Sequence, residues 1–317
     1  MAHSMAQPPE PNKSLLQSRW YCYWLATRPA FLAASLIPVL VGVAAVHYQG
    51  GEVSVLKLIF SLIAIGLVHA GVNVLNDYYD ELNGTDRLNT ERLFPFTGGS
   101  RFIQNEVLSA NQTLWFGVGL LGAAIILGLV LTAMSGGALI GIGLFGLLIG
   151  WGYSAPPLKF NSRGGGELAI AVGFGVLIPL GAWYVQTHHL SVYPIVISLS
   201  LAALVANILI INQFPDHAAD KQTGKHHWVV RLGLDKAPHL YGALVLLAVL
   251  SVVINTLLGV LPPLAALTLI PLGLSLKADN DLRQYAKTPQ YLAPAIKLTI
   301  SSMILHGLLL TLVLAFS

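Results

Sequence analysis

The sequence is short of charge. Of its 317 residues, 17 are lysine or arginine and 14 aspartate or glutamate, together 10%, while 55% are apolar. A soluble domain carries about 25% charged residues, so a soluble globular fold is excluded and a polytopic membrane bundle remains. One cysteine, Cys22, cannot form an internal disulfide, which excludes an oxidative framework. A net charge of +3 is too small for a nucleic-acid partner. The first twenty residues, "MAHSMAQPPEPNKSLLQSRW", hold no apolar signal-peptide core. They read as part of a flexible cytosolic tail over 1–28, ahead of a transmembrane domain over 29–317.

What the chain has is long apolar runs. About 20 apolar residues cross a bilayer core, and nine segments qualify: 30–48, 55–75, 113–134, 136–153, 168–187, 192–213, 239–259, 260–276 and 294–316. The expected fold is an all-α bundle of about nine transmembrane helices. With nine spans, every lysine and arginine except Lys57 falls on the face holding the N-terminus and the loops after spans 2, 4, 6 and 8. The positive-inside rule puts that face in the cytoplasm. All carboxylates except Glu52 gather there too, and an orientation signal does not need them. Both signs on one face indicate a polar site.

Two acidic segments carry the chemistry. "NVLNDYYDELNGTD" closes span 2 and "NILIINQFPDHAADKQTGK" closes span 6. In each an asparagine precedes an aspartate by four residues: Asn76 and Asp80, then Asn212 and Asp216. Asp77 and Asp80 are three apart, Asp216 and Asp220 four apart, so on a helix each pair shares a face. Like charges at that spacing repel, and a positive group is expected between them. Acidic helix ends are commonly only solvated. Two with matched spacing at corresponding ends favour a site, because carboxylates near membrane depth are costly. Carboxylates with an amide oxygen suit Mg²⁺, which binds through one or two carboxylates plus substrate phosphates. Lys159 and Arg163 in "YSAPPLKFNSRGGGE", Arg101 in "FTGGSRFIQ" and Lys225 supply the opposite charge for a diphosphate.

Within the spans, His69, Asn73 and Asn212 lie one or two turns before the aspartates, as helix-to-helix bonds or as substrate contacts. Trp151, Tyr153, Tyr78 and Tyr79 suit either stacking on a ligand or interfacial anchoring. His226 and His227 lack the further ligands of a zinc site and read as structural.

"NDYYD", Asn76 to Asp80, paired with "DHAAD", Asp216 to Asp220, resembles the UbiA superfamily of intramembrane prenyltransferases. The nine-span layout agrees, so the resemblance covers nearly all the chain beyond the tail. "NDYYDELNGTD", "RFIQ", "DKQTGKHHWVVRLG" and "GGGELAIAVGFGVLIPLGAWYVQ" look most like the dihydroxynaphthoate prenyltransferases of menaquinone synthesis. "YSAPPLK" looks more like the chlorophyll-synthase and homogentisate branches, and "FPFTGGS" is not the usual menaquinone-branch wording. The acceptor therefore stays open among dihydroxynaphthoate, homogentisate, 4-hydroxybenzoate and a chlorophyll-type alcohol transfer.

The resemblance implies a bundle whose cavity opens to lipid, and a polyprenyl diphosphate whose headgroup meets Mg²⁺ held by Asp77, Asp80, Asp216 and Asp220 with help from Asn76. An aromatic acceptor then receives the prenyl group, near His69, Asn73, Tyr153 and Asn212. Asp86 and Asp77 are candidate proton acceptors. A bacterial inner membrane is the expected location. The rival reading is a cation-coupled transporter built from two repeated halves, which would place ionisable groups near mid-bilayer.

Overall fold

The computed structural model describes residues 8–317. Helices account for the described architecture: α1 (Arg19–Ala26), α2 (Pro29–Tyr48), α3 (Val55–Asn83), α4 (Ala110–Ser135), α5 (Ala138–Ser154), α6 (Gly166–Thr187), α7 (Leu199–Gln222), α8 (Trp228–Leu257), α9 (Leu272–Tyr285) and α10 (Ala293–Phe316). Seven of these, α2, α3, α4, α6, α7, α8 and α10, are long and apolar enough to cross a membrane, and α5 is a shorter apolar helix. The chain is thus a multi-pass, all-α membrane protein.

The segment expected as an eighth span, 260–276, is broken. Pro262 and Pro263 open a 3₁₀ stretch over Pro263–Leu269, and α9 starts only at Leu272 and runs on through polar residues to Tyr285. Proline at a helix start is tolerated, but two in succession stop the preceding helix from continuing. The N-terminal segment also departs from the expected tail. Residues 1–7 lie outside the described residues, but Lys13–Gln17 and α1 are helical. Cys22 and Ala26 are buried there against Phe102, Val107 and Leu108, and Glu10 accepts from Arg92 Nε at 2.7 Å.

Neighbouring helices pack in chain order into a ring, which closes where α10 returns to α2. The ring is pinched: α2 also packs on α6, and α7 on α10. Gly42 permits the α2–α6 approach, since a Cβ there would stand 2.6 Å from the Pro179 carbonyl oxygen. On one side of the pinch, α7 to α10 are filled by bulky side chains such as Ile210, Phe214, Tyr241 and Ile296. On the other, α2 to α7 surround a cavity of about 460 Å³.

α3 places the first acidic segment. Its 29 residues rise past the membrane core, since about 20 residues at 1.5 Å each already span ~30 Å. Counted from Val55, that length ends near Val74, so Asn76 to Asp80 occupy the turns that emerge. Gly84, with φ +81°, then stops the helix. Asp216 and Asp220 occupy the last two turns of α7.

Candidate active site

The two acidic segments meet at one end of the cavity. Lys225, in the loop after α7, lies between them: its Nζ is 2.9 Å from Asp80 Oδ1 and 3.1 Å from Asp220 Oδ1. It is the positive group that the carboxylate spacing called for. Only 7% of Lys225 is exposed. Burial alone would lower its pKa, but Asp80 and Asp220 outweigh that and hold the ammonium above its ordinary value. Thr85 and Thr223 join the two segments again, hydroxyl to hydroxyl at 2.9 Å.

Each carboxylate has its own support. Asp80 accepts from Asn76 Nδ2 at 3.3 Å and Asn83 Nδ2 at 3.2 Å, and Asn76 also donates to Ser154 Oγ. Asp77 is buried beside the cavity rather than lining it, and accepts the Ser100 N–H at 3.1 Å. Asp216 accepts from Asn89 Nδ2. Asp220 is 3.0 Å from His227 Nε2. Because His227 Nδ1 accepts the Val230 N–H at the start of α8, Nε2 is the protonated nitrogen and donates to Asp220. Asp86 is buried at the same end. Burial pushes its carboxyl well above the ordinary carboxylate range, and Asp80 and Asp77 add to the rise.

The loop "TGGS" is shaped around these acids. Gly99 has φ +73°, and a Cβ there would run into Asp86 Oδ2 and lie 3.0 Å from Asp77 Oδ1. Glycine is the residue that meets both demands.

From this end the cavity extends to Ser61 and Val185. Ser61 and Asp80 are separated by 19 residues of α3, about 28 Å at 1.5 Å per residue. The lining along that depth is mainly apolar. Ile125, Leu129, Ile140 and Leu144 both line the cavity and are exposed, so it opens sideways between α4 and α5.

The structure sorts the residues singled out from sequence. Asn76, Asp80, Asp216, Asp220, Lys225, His69, Asn73, Tyr153 and Asn212 line the cavity. His69 pairs with Ser35 Oγ at 3.0 Å, and Asn73 donates to the Thr27 carbonyl at 3.0 Å, so both also tie α3 to the α1–α2 region. Arg101 lies behind the site, where its Nη1 donates to the Asp86 carbonyl. Lys159 and Arg163 are not brought to the lining; Arg163 is exposed, and its carbonyl accepts from Arg231. Of Trp151, Tyr153, Tyr78 and Tyr79 only Tyr153 lines the cavity, while Tyr79 and Trp151 pack edge to face on each other. Lys57, the basic residue at the opposite end, donates to the Val185 carbonyl at 2.9 Å.

Sequence reading missed Arg28, Asn89 and His227 as site residues. Arg28 lines the cavity in a left-handed conformation, with Nη2 donating to the Phe96 carbonyl at 2.9 Å and a buried Nε lacking a partner. Its one signal was position, immediately before Pro29 and span 1. Asn89 and His227 lie in connecting segments, with no periodicity to mark them.

Among the described residues, no three histidine, cysteine or acidic side chains converge on a single point for a metal. The donors that are present, Asp77, Asp80, Asp216 and Asp220 with Asn76, offer oxygen alone. That set fits Mg²⁺, which takes few protein carboxylates and completes its shell with phosphate and water.

A family model described as the UbiA prenyltransferase family matches residues 35–300. UbiA prenyltransferase domain-containing protein 1 of Danio rerio is 31% identical over 280 residues, which is 87% of this chain and 80% of that protein. The 1,4-dihydroxy-2-naphthoate octaprenyltransferase of Mycobacterium leprae is 28% identical over 91% of this chain and 94% of its own. A UbiA homolog from Archaeoglobus fulgidus, solved bound to DMAPP and Mg²⁺, superposes with a TM-score of 0.59 at 16% identity, covering 92% of this chain and 99% of that one. At that identity the likeness is one of fold. The family match over most of the chain, with a relative above 30% identity along most of both sequences, makes this protein a member of the UbiA prenyltransferase family.

Proposed function

We propose that this enzyme transfers a polyprenyl group from a prenyl diphosphate to a hydroxylated aromatic acceptor, 1,4-dihydroxy-2-naphthoate, with Mg²⁺ at the acidic end. One observation carries the reading: a long apolar cavity, open to the side, that ends in two acidic segments bridged by a buried lysine. The apolar length suits an isoprenoid, and the polar end suits its diphosphate. The acceptor choice draws on relatives named 1,4-dihydroxy-2-naphthoate octaprenyltransferase in Mycobacterium leprae and Bacillus subtilis.

In this reading Asp77, Asp80, Asp216 and Asp220 hold Mg²⁺, with Asn76 orienting Asp80. Bound Mg²⁺ would neutralise phosphate oxygens and stabilise the charge that builds on the leaving diphosphate. Lys225 and Arg28 contribute further positive charge at that end. The apolar walls keep water from the allylic carbon as its bond to the diphosphate breaks, which leaves the electron-rich ring of the acceptor as the nucleophile; the attacked ring carbon then sheds a proton, or carbon dioxide where it carries the carboxylate. The distribution of lysine and arginine supports a cytoplasmic orientation for the basic and acidic end, and the membrane proposed is a bacterial inner membrane.

A membrane assay with labelled polyprenyl diphosphate, Mg²⁺ and separate acceptors tests this. Mg²⁺-dependent product with dihydroxynaphthoate is expected, and Asp80→Asn and Asp216→Asn should abolish it while still folding and inserting. Full activity in both variants would refute the metal–diphosphate assignment. Product only with homogentisate or 4-hydroxybenzoate would refute the acceptor alone.

A further inference from the structure

Gln213 precedes Asp216 by one turn of α7 and lines the cavity on the same side. Only 6% of it is exposed. Its Nε2 donates to Glu167 Oε1 at 3.0 Å, and that same carboxylate oxygen accepts the Trp228 N–H at 3.0 Å. Trp228 is the first residue of α8, where the exposed backbone N–H groups favour a carboxylate. Glu167 Oε1 is thus held from two directions, while its Oε2, also buried, has no partner.

This arrangement fixes the amide too. A carboxylate oxygen accepts, so Gln213 can meet Glu167 only through its nitrogen. Its Oε1 has no hydrogen-bond partner, although it is buried. Buried carbonyl oxygens in native proteins are almost always paired, and an orphan calls for an explanation. At a cavity wall one turn inside the acidic end, a bound molecule can supply the missing donor. The neighbouring Asn212 also lines the cavity with an unpartnered Oδ1.

We propose that Gln213 is the specificity-determining contact for the acceptor: its Oε1 receives a hydrogen bond from a ring hydroxyl and seats the ring one helical turn from Asp216. Glu167 is the positioning residue that keeps this oxygen turned toward the cavity. The inference rests on the hydroxyarene reading above, but not on which hydroxyarene is used. A rise of three residues at 1.5 Å places Gln213 about 4.5 Å deeper than Asp216 along α7. That depth puts the ring beside the first carbons of the prenyl chain when its diphosphate sits at the acids.

The test uses the full-length enzyme in membranes with labelled prenyl diphosphate and Mg²⁺. The acceptor is whichever of dihydroxynaphthoate, homogentisate and 4-hydroxybenzoate is prenylated, measured beside its single O-methyl ethers. The wild-type enzyme should prefer the free hydroxyl over the ether that blocks the contact by at least about tenfold in kcat/KM, the worth of one good hydrogen bond. Gln213→Leu should raise the acceptor KM by about the same factor, leave the prenyl diphosphate KM unchanged, and erase the hydroxyl-over-ether preference. Glu167→Gln, which lets the Gln213 amide turn over, should blunt that preference while keeping the oxygen.

A Gln213→Leu enzyme that still prefers the hydroxyl as strongly as wild type would overturn the inference. So would a wild-type enzyme with no preference, a result that stands even where the leucine variant fails to fold. If dihydroxynaphthoate is inert and another hydroxyarene is used, only the acceptor named above is wrong, and Gln213 is judged on the acceptor that works. No transfer to any hydroxyarene, with transfer to an aliphatic alcohol, overturns both.

Discussion

Replacing Lys225 with methionine keeps the length of the side chain and removes its charge. Asp80 and Asp220 then face each other across the junction of the two acidic segments, with Asp86 close behind. Taking one partner from a buried ion pair costs about 3–5 kcal/mol. Here the lower end applies, because Asp220 keeps its bond from His227 at 3.0 Å and Asp80 keeps Asn76 at 3.3 Å and Asn83 at 3.2 Å. A loss of about 3 kcal/mol is expected in EDTA. Mg²⁺ should replace the missing charge, and at a hundred times its Kd a ligand adds about 2.7 kcal/mol. Saturating Mg²⁺ would therefore restore most of the variant's stability. Lys225 is held above its ordinary value, so its contribution is fully present below the normal lysine range and is lost only as pH rises through the elevated one. The wild-type contribution of the Lys225 charge is accordingly unchanged as pH rises through neutrality. Thermal unfolding in detergent can be followed by dye labelling of Cys22, the chain's one cysteine and 1% exposed in the folded protein. A variant as stable as wild type in EDTA, or one stabilised by Mg²⁺ no more than wild type, would refute the bridging role.

Arg28→Met should raise the prenyl diphosphate KM about tenfold or more, the scale of a charge-assisted hydrogen bond, whereas Arg163→Ala should leave it within about twofold; steady-state kinetics on both variants checks the contrast. Gly99→Ala forces a Cβ against Asp86 and Asp77 at a positive φ, and should cost about 1–3 kcal/mol with a matching loss of transfer; unaltered unfolding and turnover would disprove that reading of the loop. The raised Asp86 carboxyl binds protons more tightly folded than unfolded, so in Mg²⁺-free buffer stability falls as pH rises from the ordinary carboxylate range through the elevated one. Asp86→Asn should then be more stable than wild type at neutral pH and lose that advantage in acid, as unfolding across a pH series would show. Gly146 lines the cavity with open space around the position of a Cβ, so Gly146→Leu should fold normally but discriminate against long prenyl diphosphates in favour of dimethylallyl diphosphate; an equal loss on both would count against the cavity as the prenyl site.

Much of this was legible because a membrane imposes simple rules. Apolar length and charge sidedness located α2 to α8 and α10. They failed at 260–276, where hydropathy stays high but Pro262 and Pro263 interrupt the backbone. Hydropathy measures transfer to lipid and is blind to a missing N–H. At α8 the apolar run suggested a start at 239, yet the helix begins at Trp228, and a non-helical Gly233 lets one helix axis pass into the next. Within the site, the asparagine–aspartate spacing on α3 and α7 was readable since i and i+4 share a face whatever the tertiary fold. Lys159 and Arg163 illustrate the opposite: charge in a short loop near the right end says nothing of which way the loop turns, and Arg163 turns outward. Arg28, Asn89 and Gln213 are single residues whose partners lie far away in sequence, so no local pattern could mark them.

The pinched ring explains why one bundle can be both solid and hollow. In α7 to α10 several polar side chains pair across a filled interior, Tyr241 with Thr299 at 2.7 Å, Ser275 with Ser302 at 2.8 Å, and His306 with both Thr268 and Ser200 at 2.9 Å. Around the cavity the packing is different: Gly128, Gly143, Gly146 and Gly150 line it with little or no side chain to fill it, and the polar atoms Arg28 Nε, Asn212 Oδ1 and Gln213 Oε1 of its lining residues remain unpaired. Glycine in a helix interior is unfavourable by about 1 kcal/mol, and an unpaired buried polar atom by about 1–3 kcal/mol. A bundle selected for stability alone would lose both features. That glycines and unpaired lining atoms occur together along the cavity, and that the cavity ends at the carboxylates bridged by Lys225, separates an enzyme cavity from a transporter path: the ionisable groups stand at the mouth, and the depth behind them is left for an apolar chain.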